Sequence, residues 1–148
     1  MKSTLTLLLA CFACLSPSST ASIVVEHDSP VVVGTQLAEP IGLETLGGVF
    51  TTLLEKGCRL PCEITETFST AEDNQTEIKI FLFRGPAAMA VKNHPLGAFA
   101  IVGVPAMPRG RPLVHVTLRA ADGRIVMWAR DSTGAPIHIE RRSDQRAA

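Results

Sequence analysis

The sequence carries no surplus of charge: Lys and Arg number 14, and so do Asp and Glu. Without a net field to draw it to a phosphate backbone or an anionic bilayer, the chain is not expected to bind nucleic acid. It also lacks an apolar run long enough to cross a membrane, which takes about 20 residues. The run near the N-terminus extends only from Leu5 to Leu15. No Gly-x-Ser-x-Gly elbow, phosphate-binding Gly-Lys loop or His-Glu-x-x-His occurs. His27, His94, His115 and His138 lie in different segments, none with a second His or a carboxylate at ligand or triad spacing. Glu72 and Asp73 are adjacent, and neighbours on an extended chain point to opposite faces, so they do not make an acid/base pair. No catalytic residue, metal or cofactor is therefore expected, and the chain does not read as an enzyme.

Its 148 residues suit one domain, and 11 Gly with 10 Pro, spread along the chain, favour short strands and turns over long helices. From residue 41 onward apolar stretches recur between turn signals: Val49 to Leu54, Ile64 to Phe68, Ile78 to Phe83, Ala98 to Val102, Leu113 to Leu118, Arg124 to Ala129 and Pro136 to Ile139. Such spacing predicts an all-β sandwich or barrel. Ile78, Ile80 and Leu82 share one face of a strand, as do Val114, Val116 and Leu118. Asp122-Gly123 lies between two β-rich runs and tolerates the positive φ of a tight hairpin. Asn74-Gln75-Thr76 fits an N-glycosylation acceptor, a tripeptide too common by chance to carry weight.

The first 22 residues read as an export signal: Lys2, the apolar run, then small residues at Ser19-Thr20-Ala21. A periplasmic or extracellular location follows. Leu8-Leu9-Ala10-Cys11 gives the alternative of a lipid anchor at Cys11. Residues 23–40, with Val31-Val32-Val33 among Pro30, Gly34 and Pro40, form a linker-like lead-in with room for one edge strand. The domain proper spans 41–140, and 141–148 reads as a disordered tail. In an oxidising compartment Cys58 and Cys62 are a disulfide candidate, with free thiols as the next alternative; metal binding is least favoured, since tetrahedral zinc wants four ligands and no second pair follows.

Two stretches carry a family resemblance. Ile41-Gly42-Leu43-Glu44-Thr45-Leu46-Gly47-Gly48-Val49-Phe50-Thr51-Thr52-Leu53 and Phe68-Ser69-Thr70-Ala71-Glu72-Asp73-Asn74-Gln75-Thr76 together resemble the peptide-binding domain of the heat shock protein 70 family. Asn93-His94-Pro95-Leu96-Gly97 and Pro105-Ala106-Met107-Pro108-Arg109-Gly110, with Pro112, resemble its later loops. The resemblance implies an antiparallel β-sandwich whose loops hold an extended peptide over one apolar pocket. By position, Leu43, Phe68, Ile78, Ile80 and Val114 would line that pocket, and Leu46 and Ala71 would arch over the bound backbone. Thr45, Ser69 and Gln75 would add hydrogen bonds near it.

The departures count as well. Nothing in the chain matches the family's nucleotide-binding domain or its helical lid, so Arg109, which resembles a lid-latching residue, has no such partner here. Thr35 stands where the interdomain linker has an acidic residue, and Glu39-Pro40 stand at the ATPase-docking surface. The function implied is ATP-independent binding of extended hydrophobic peptides or unfolded protein. The alternatives are an adaptor for one dedicated protein partner and a truncated chaperone derivative. The competing account is that Leu43, Ile78, Ile80 and Val114 fill the sandwich core.

Overall fold

The computed structural model describes residues 22–25 and 32–143. Residues 1–21, with the expected signal and Cys11, and the tail beyond 143 lie outside the described residues. The elements are β1 (Ser22–Val25), β2 (Val32–Val33), β3 (Gln36–Leu37), β4 (Ile41–Thr45), β5 (Val49–Leu54), β6 (Cys62–Ser69), β7 (Glu77–Arg84), β8 (His94–Val102), β9 (Leu113–Ala121), β10 (Arg124–Asp131) and β11 (Pro136–Arg142). Among the described residues the helical content is one 3-10 turn, Ala90–Lys92. The fold is the all-β architecture expected.

All the pairings are antiparallel and follow the order β5-β4-β7-β8-β11-β10-β9-β6, with β2 and β3 forming a separate small hairpin. The path folds over on itself at β11. Its first residues pair with β10 through Ile137 opposite Ala129, and the rest pair with β8 through Ile139 opposite Ile101. One strand thereby stitches two layers together, and β5 and β6, the ends of the path, approach each other to give a nearly closed sandwich.

Alternation along the strands explains the layers. Ile78, Ile80 and Leu82 of β7, Val114, Val116, Leu118 and Ala120 of β9, and Ile125, Met127 and Ala129 of β10 all join one core. Fully burying one such aliphatic side chain is worth about 1.5–3 kcal/mol, so the facing rows dominate the stability of the sandwich. The Asp122-Gly123 hairpin forms as the sequence signals: both residues have positive φ, 50° and 72°, and Ala121 pairs with Arg124.

Three features depart from the expected boundaries. Ser22, assigned to the signal segment, already belongs to β1, which pairs with β10 beside the stretch that β11 leaves when it turns to β8. Within the lead-in, Leu37 is buried in the core, and its backbone bonds Cys58 O and Gly57 N, so residues 36–37 are docked onto the domain. At the other end β11 runs through Arg142, beyond residue 140, because Arg142 pairs with Ala98 and its guanidinium reaches Glu77 at 2.8 Å.

Candidate functional site

The site expected from the sequence lies where β4, β6, β7 and β9 present one apolar row each. Leu43 sits opposite Leu82 across β4 and β7, and Phe68 opposite Val114 across β6 and β9. Leu43, Ile78, Ile80 and Val114 share the core cluster, and Phe68 packs against it half-buried. Four of the five expected lining residues thus belong to the common core of the sandwich, and Phe68 borders it. Their exposure is low, 6% for Leu43, 7% for Ile78, 4% for Ile80 and none for Val114, so in this state they are filled into the core and form no open pocket.

Above Leu43 the chain turns from β4 to β5 through Leu46-Gly47-Gly48. Gly47 and Gly48 take φ of 82° and 78°, a region side chains disfavour, and this tightens the turn. Gly48 N donates to Thr45 O at 3.1 Å and Gly48 O accepts from Ala90 N at 2.9 Å, while Phe50 N donates to Ala88 O at 2.8 Å. The turn is thus pinned from both sides, yet Leu46 at its tip is wholly exposed.

The second rim loop, residues 70–76, joins β6 to β7. Gln75 organises it: its Oε1 accepts from Ala71 N at 3.0 Å and Glu72 N at 3.1 Å, and its Nε2 donates to Glu77 O at 2.6 Å. The loop is laced to the β8–β9 connection. Asp73 Oδ1 accepts from Arg109 N at 2.9 Å, Asn74 N donates to Met107 O at 2.9 Å, and Gly110 N donates to Thr70 O at 3.0 Å. Ser69 Oγ donates to Pro112 O at 2.6 Å. Leu46 and Ala71, the expected arch residues, stand exposed on these two separate loops.

Thr45, Ser69 and Gln75 were expected to supply hydrogen bonds near a bound strand. Their side chains instead bond within the rim: the Thr45 hydroxyl donates to Val49 O at 3.2 Å, and Ser69 and Gln75 act as above. They fix the loops rather than project free donors. Asp73, read from the sequence with Glu72 as no acid/base pair, has a rim duty instead; its tie to Arg109 joins positions 36 residues apart, which no local pattern signals. Arg109 enters the site through its backbone, with its side chain exposed.

Cys58 and Cys62 are both free thiols, and the Cys58 thiol donates to Arg59 O at 4.0 Å. Burial, then the contact with Cys58, pushes the Cys62 thiol up to about 12. Among the described residues no group of three or more His, Cys, Asp or Glu is placed to hold a metal, and no helix is long and apolar enough to cross a membrane. Two open grooves of about 360 and 400 Å³ lie away from the apolar quartet, one lined by Lys79, Phe81 and Arg142, the other by Thr35, Leu60 and Arg119.

A family profile described as Hsp70 protein matches residues 27–145. The chain belongs to the Hsp70 family. It is 43% identical over 105 residues, 70% of its length, to the mitochondrial heat shock 70 kDa protein of Pisum sativum. It is also 45% identical over 92 residues, 62% of its length, to the chaperone protein DnaK of Anaplasma marginale (strain St. Maries). The matches cover 16% and 14% of those Hsp70 relatives, so the chain corresponds to one small part of each.

Proposed function

We propose that the chain binds extended apolar peptide segments or unfolded protein, outside the cytoplasm and with no step that draws on ATP. The observation that carries this reading is Leu46. It is a large apolar side chain held wholly in solvent by a turn that is pinned on both sides, next to the strand that carries Leu43 into the apolar row. Nothing in the fold's own packing needs a leucine there. An apolar ligand lying across the rim supplies the missing contact.

In this reading an extended segment enters between the two loops, Leu46 and Ala71 close over its backbone, and one side chain reaches the row of Leu43, Phe68, Ile78, Ile80 and Val114. Leu43, Ile78, Ile80 and Val114 are buried in the core without a ligand, so entry of a side chain parts core packing. Thr45, Ser69 and Gln75 act by keeping the rim backbone in place. One inserted aliphatic side chain contributes about 1.5–3 kcal/mol, which is why binding is weak, tolerant of sequence and quickly reversed. Its relatives, a heat shock protein and a chaperone protein, support the class of activity.

The test is fluorescence anisotropy of a labelled Leu-rich heptapeptide against the full chain, Leu46→Ser and Val114→Phe. Saturable binding is expected for the wild type, weakened roughly tenfold by Leu46→Ser, a change of about 1.4 kcal/mol, with an unaltered melting temperature. Val114→Phe abolishes binding by filling the row; because Val114 is fully buried, the exposed Leu46 variant keeps the test valid if that protein misfolds. No saturable binding by the wild type would overturn the reading.

A dedicated protein partner is the second reading, favoured by exposed Val49, Met89 and Val91, of which Val49 and Met89 form a β-bridge. Recovery of one stoichiometric protein, with no affinity for generic apolar peptides, would favour it.

A further inference from the structure

The layer β1-β10-β9-β6 turns one face to the core and the other to solvent, and alternation assigns the residues of each. On β10 the inward row is Ile125, Met127 and Ala129, so Arg124, Val126, Trp128 and Arg130 point outward. Register carries this outer face across the neighbouring strands. Trp128 stands opposite Thr117 of β9 and Ser22 of β1, Val126 opposite Arg119 and Val24, and Arg130 opposite His115. Two hydroxyls of β6 extend the rows: Thr65 Oγ1 lies 2.8 Å from Thr117 Oγ1, and Thr67 Oγ1 lies 2.9 Å from His115 Nδ1. Thr117 belongs to this outer face yet is only 6% exposed. Its larger neighbours therefore lie over it, and the half-buried indole of Trp128 beside it is set along the sheet instead of standing off it.

The charge of the face is one-sided. The chain as a whole balances 14 cationic side chains against 14 acidic ones, but the outward positions of these strands hold Arg119, Arg124 and Arg130 against one carboxylate, Glu63. Glu63 meets Arg119 at 3.4 Å with both side chains about half exposed, a weak surface pair that an incoming carboxylate can replace. Arg130 is steadied by its Nη1, which donates to Gly134 O at 2.9 Å. At Arg119 the flat face opens into the groove of about 400 Å³ that runs past Leu60 and Pro61, with Asp122 as its acidic residue.

We propose that this face binds an acidic oligosaccharide, a chain of sugar rings bearing carboxylates, with Trp128 as the stacking platform and Arg119 and Arg130 as the carboxylate partners. An indole lying along the sheet offers its electron-rich face to the C–H face of a sugar ring. The guanidinium fork matches a carboxylate through two parallel N–H···O bonds. Arg130 is two residues from Trp128 on the same face, about 7 Å along the strand, within reach of a carboxylate on the stacked ring or the next one. The hydroxyls of Thr65 and Thr67 each have one partner, and a hydroxyl has capacity for more than one, so they serve sugar hydroxyls as well.

The shape of the face selects this ligand over other anions. A bilayer takes up side chains that protrude, whereas this ring lies flat on a flat sheet. A simple polyanion would need the arginines but not the tryptophan. The face shares no residue with the rim loops, so the inference does not depend on peptide binding.

Trp128 is the only tryptophan of the chain, so intrinsic fluorescence reads this face directly. The full chain is titrated with hexagalacturonate, with its methyl ester and with a hexaglutamate peptide, and calorimetry measures hexagalacturonate binding to Trp128→Ala, Trp128→Phe and Arg130→Gln. A saturable shift in emission is expected with hexagalacturonate, with binding about tenfold weaker for the ester, which lacks the charge, and for the peptide, which lacks the rings. Trp128→Ala and Arg130→Gln should each weaken binding about tenfold, and Trp128→Phe, which keeps a flat ring, should lose less. Leu46→Ser should bind the oligosaccharide as the wild type does. If Trp128→Ala fails to fold, the ranking of the three ligands on the wild type and the exposed Arg130 variant still decide. No saturable response to hexagalacturonate, equal affinity for the ester or the hexaglutamate peptide, or binding to anionic phospholipid vesicles in place of the oligosaccharide would each overturn the proposal.

Discussion

The two loops that frame the candidate site are held by different parts of the chain. The β4–β5 turn is held mainly by backbone, through the positive φ of Gly47 and Gly48 and through bonds from Ala90 N and to Ala88 O, with the Thr45 hydroxyl as an added tie. The 70–76 loop has two backbone bonds, Asn74 N to Met107 O and Gly110 N to Thr70 O, but leans more on side chains: Gln75 makes three of its bonds, and Asp73 ties it to Arg109. A loop fixed by backbone leaves its tip residue without structural duty, and Leu46 is such a residue. A loop fixed by side chains has its sequence constrained by stability alone. Function at the rim is therefore easiest to alter at Leu46 and hardest at Gln75.

Breaking the side-chain loop should have the larger effect. Gln75→Ala removes an acceptor for two amides and a donor to Glu77 O, and a net hydrogen bond is worth about 1 kcal/mol, so a loss of about 2–3 kcal/mol is expected by chemical denaturation. An undiminished midpoint would mean that the loop stands without its amide. Gly48→Ala attacks the other loop. Its φ of 78° costs a side chain about 1–2 kcal/mol, and the new Cβ would come within 3.4 Å of the Met89 Cε. The loss should be smaller than for Gln75→Ala; equal losses would erase the distinction between the two loops.

The same distinction explains what sequence alone could show. Alternation marked β7 and β9 and the Asp122-Gly123 pair marked their hairpin neighbour, because those signals are local. Ile41–Thr45 escaped as a strand because Gly42 interrupts its pattern, yet β4 bulges at Ile41/Gly42 and a Cβ on Gly42 would strike the Thr51 carbonyl. β1 and the burial of Leu37 depend on distant partners, β10 and the Cys58 carbonyl. At the site, the apolar residues were identified through the family resemblance and share the core. The duties of Thr45, Ser69 and Gln75 were not legible, since which atoms their side chains meet is decided by tertiary closure.

A third turn sharpens the comparison, because it is held by a side chain that carries charge. Between β10 and β11, Asp131 Oδ1 accepts from the Thr133 hydroxyl at 2.6 Å, Thr133 N at 2.8 Å and Ala135 N at 3.0 Å. The Thr133 hydroxyl first, and then the backbone amides of the turn, hold the carboxyl of Asp131 below its ordinary value. A depressed carboxylate stabilises the fold above its unfolded titration range, and that contribution is lost as pH falls through the folded one. Asp131 is only partly covered at the surface, so solvent screens the effect and it should be the smallest of these. The gap in melting temperature between wild type and Asp131→Asn is expected to narrow as pH is lowered from about 6 to about 3. The gap between wild type and Gln75→Ala should stay constant over the same range, since an amide does not titrate. If the Asp131→Asn gap also stayed constant, the turn would be held by geometry alone and would belong with the β4–β5 turn rather than with the 70–76 loop.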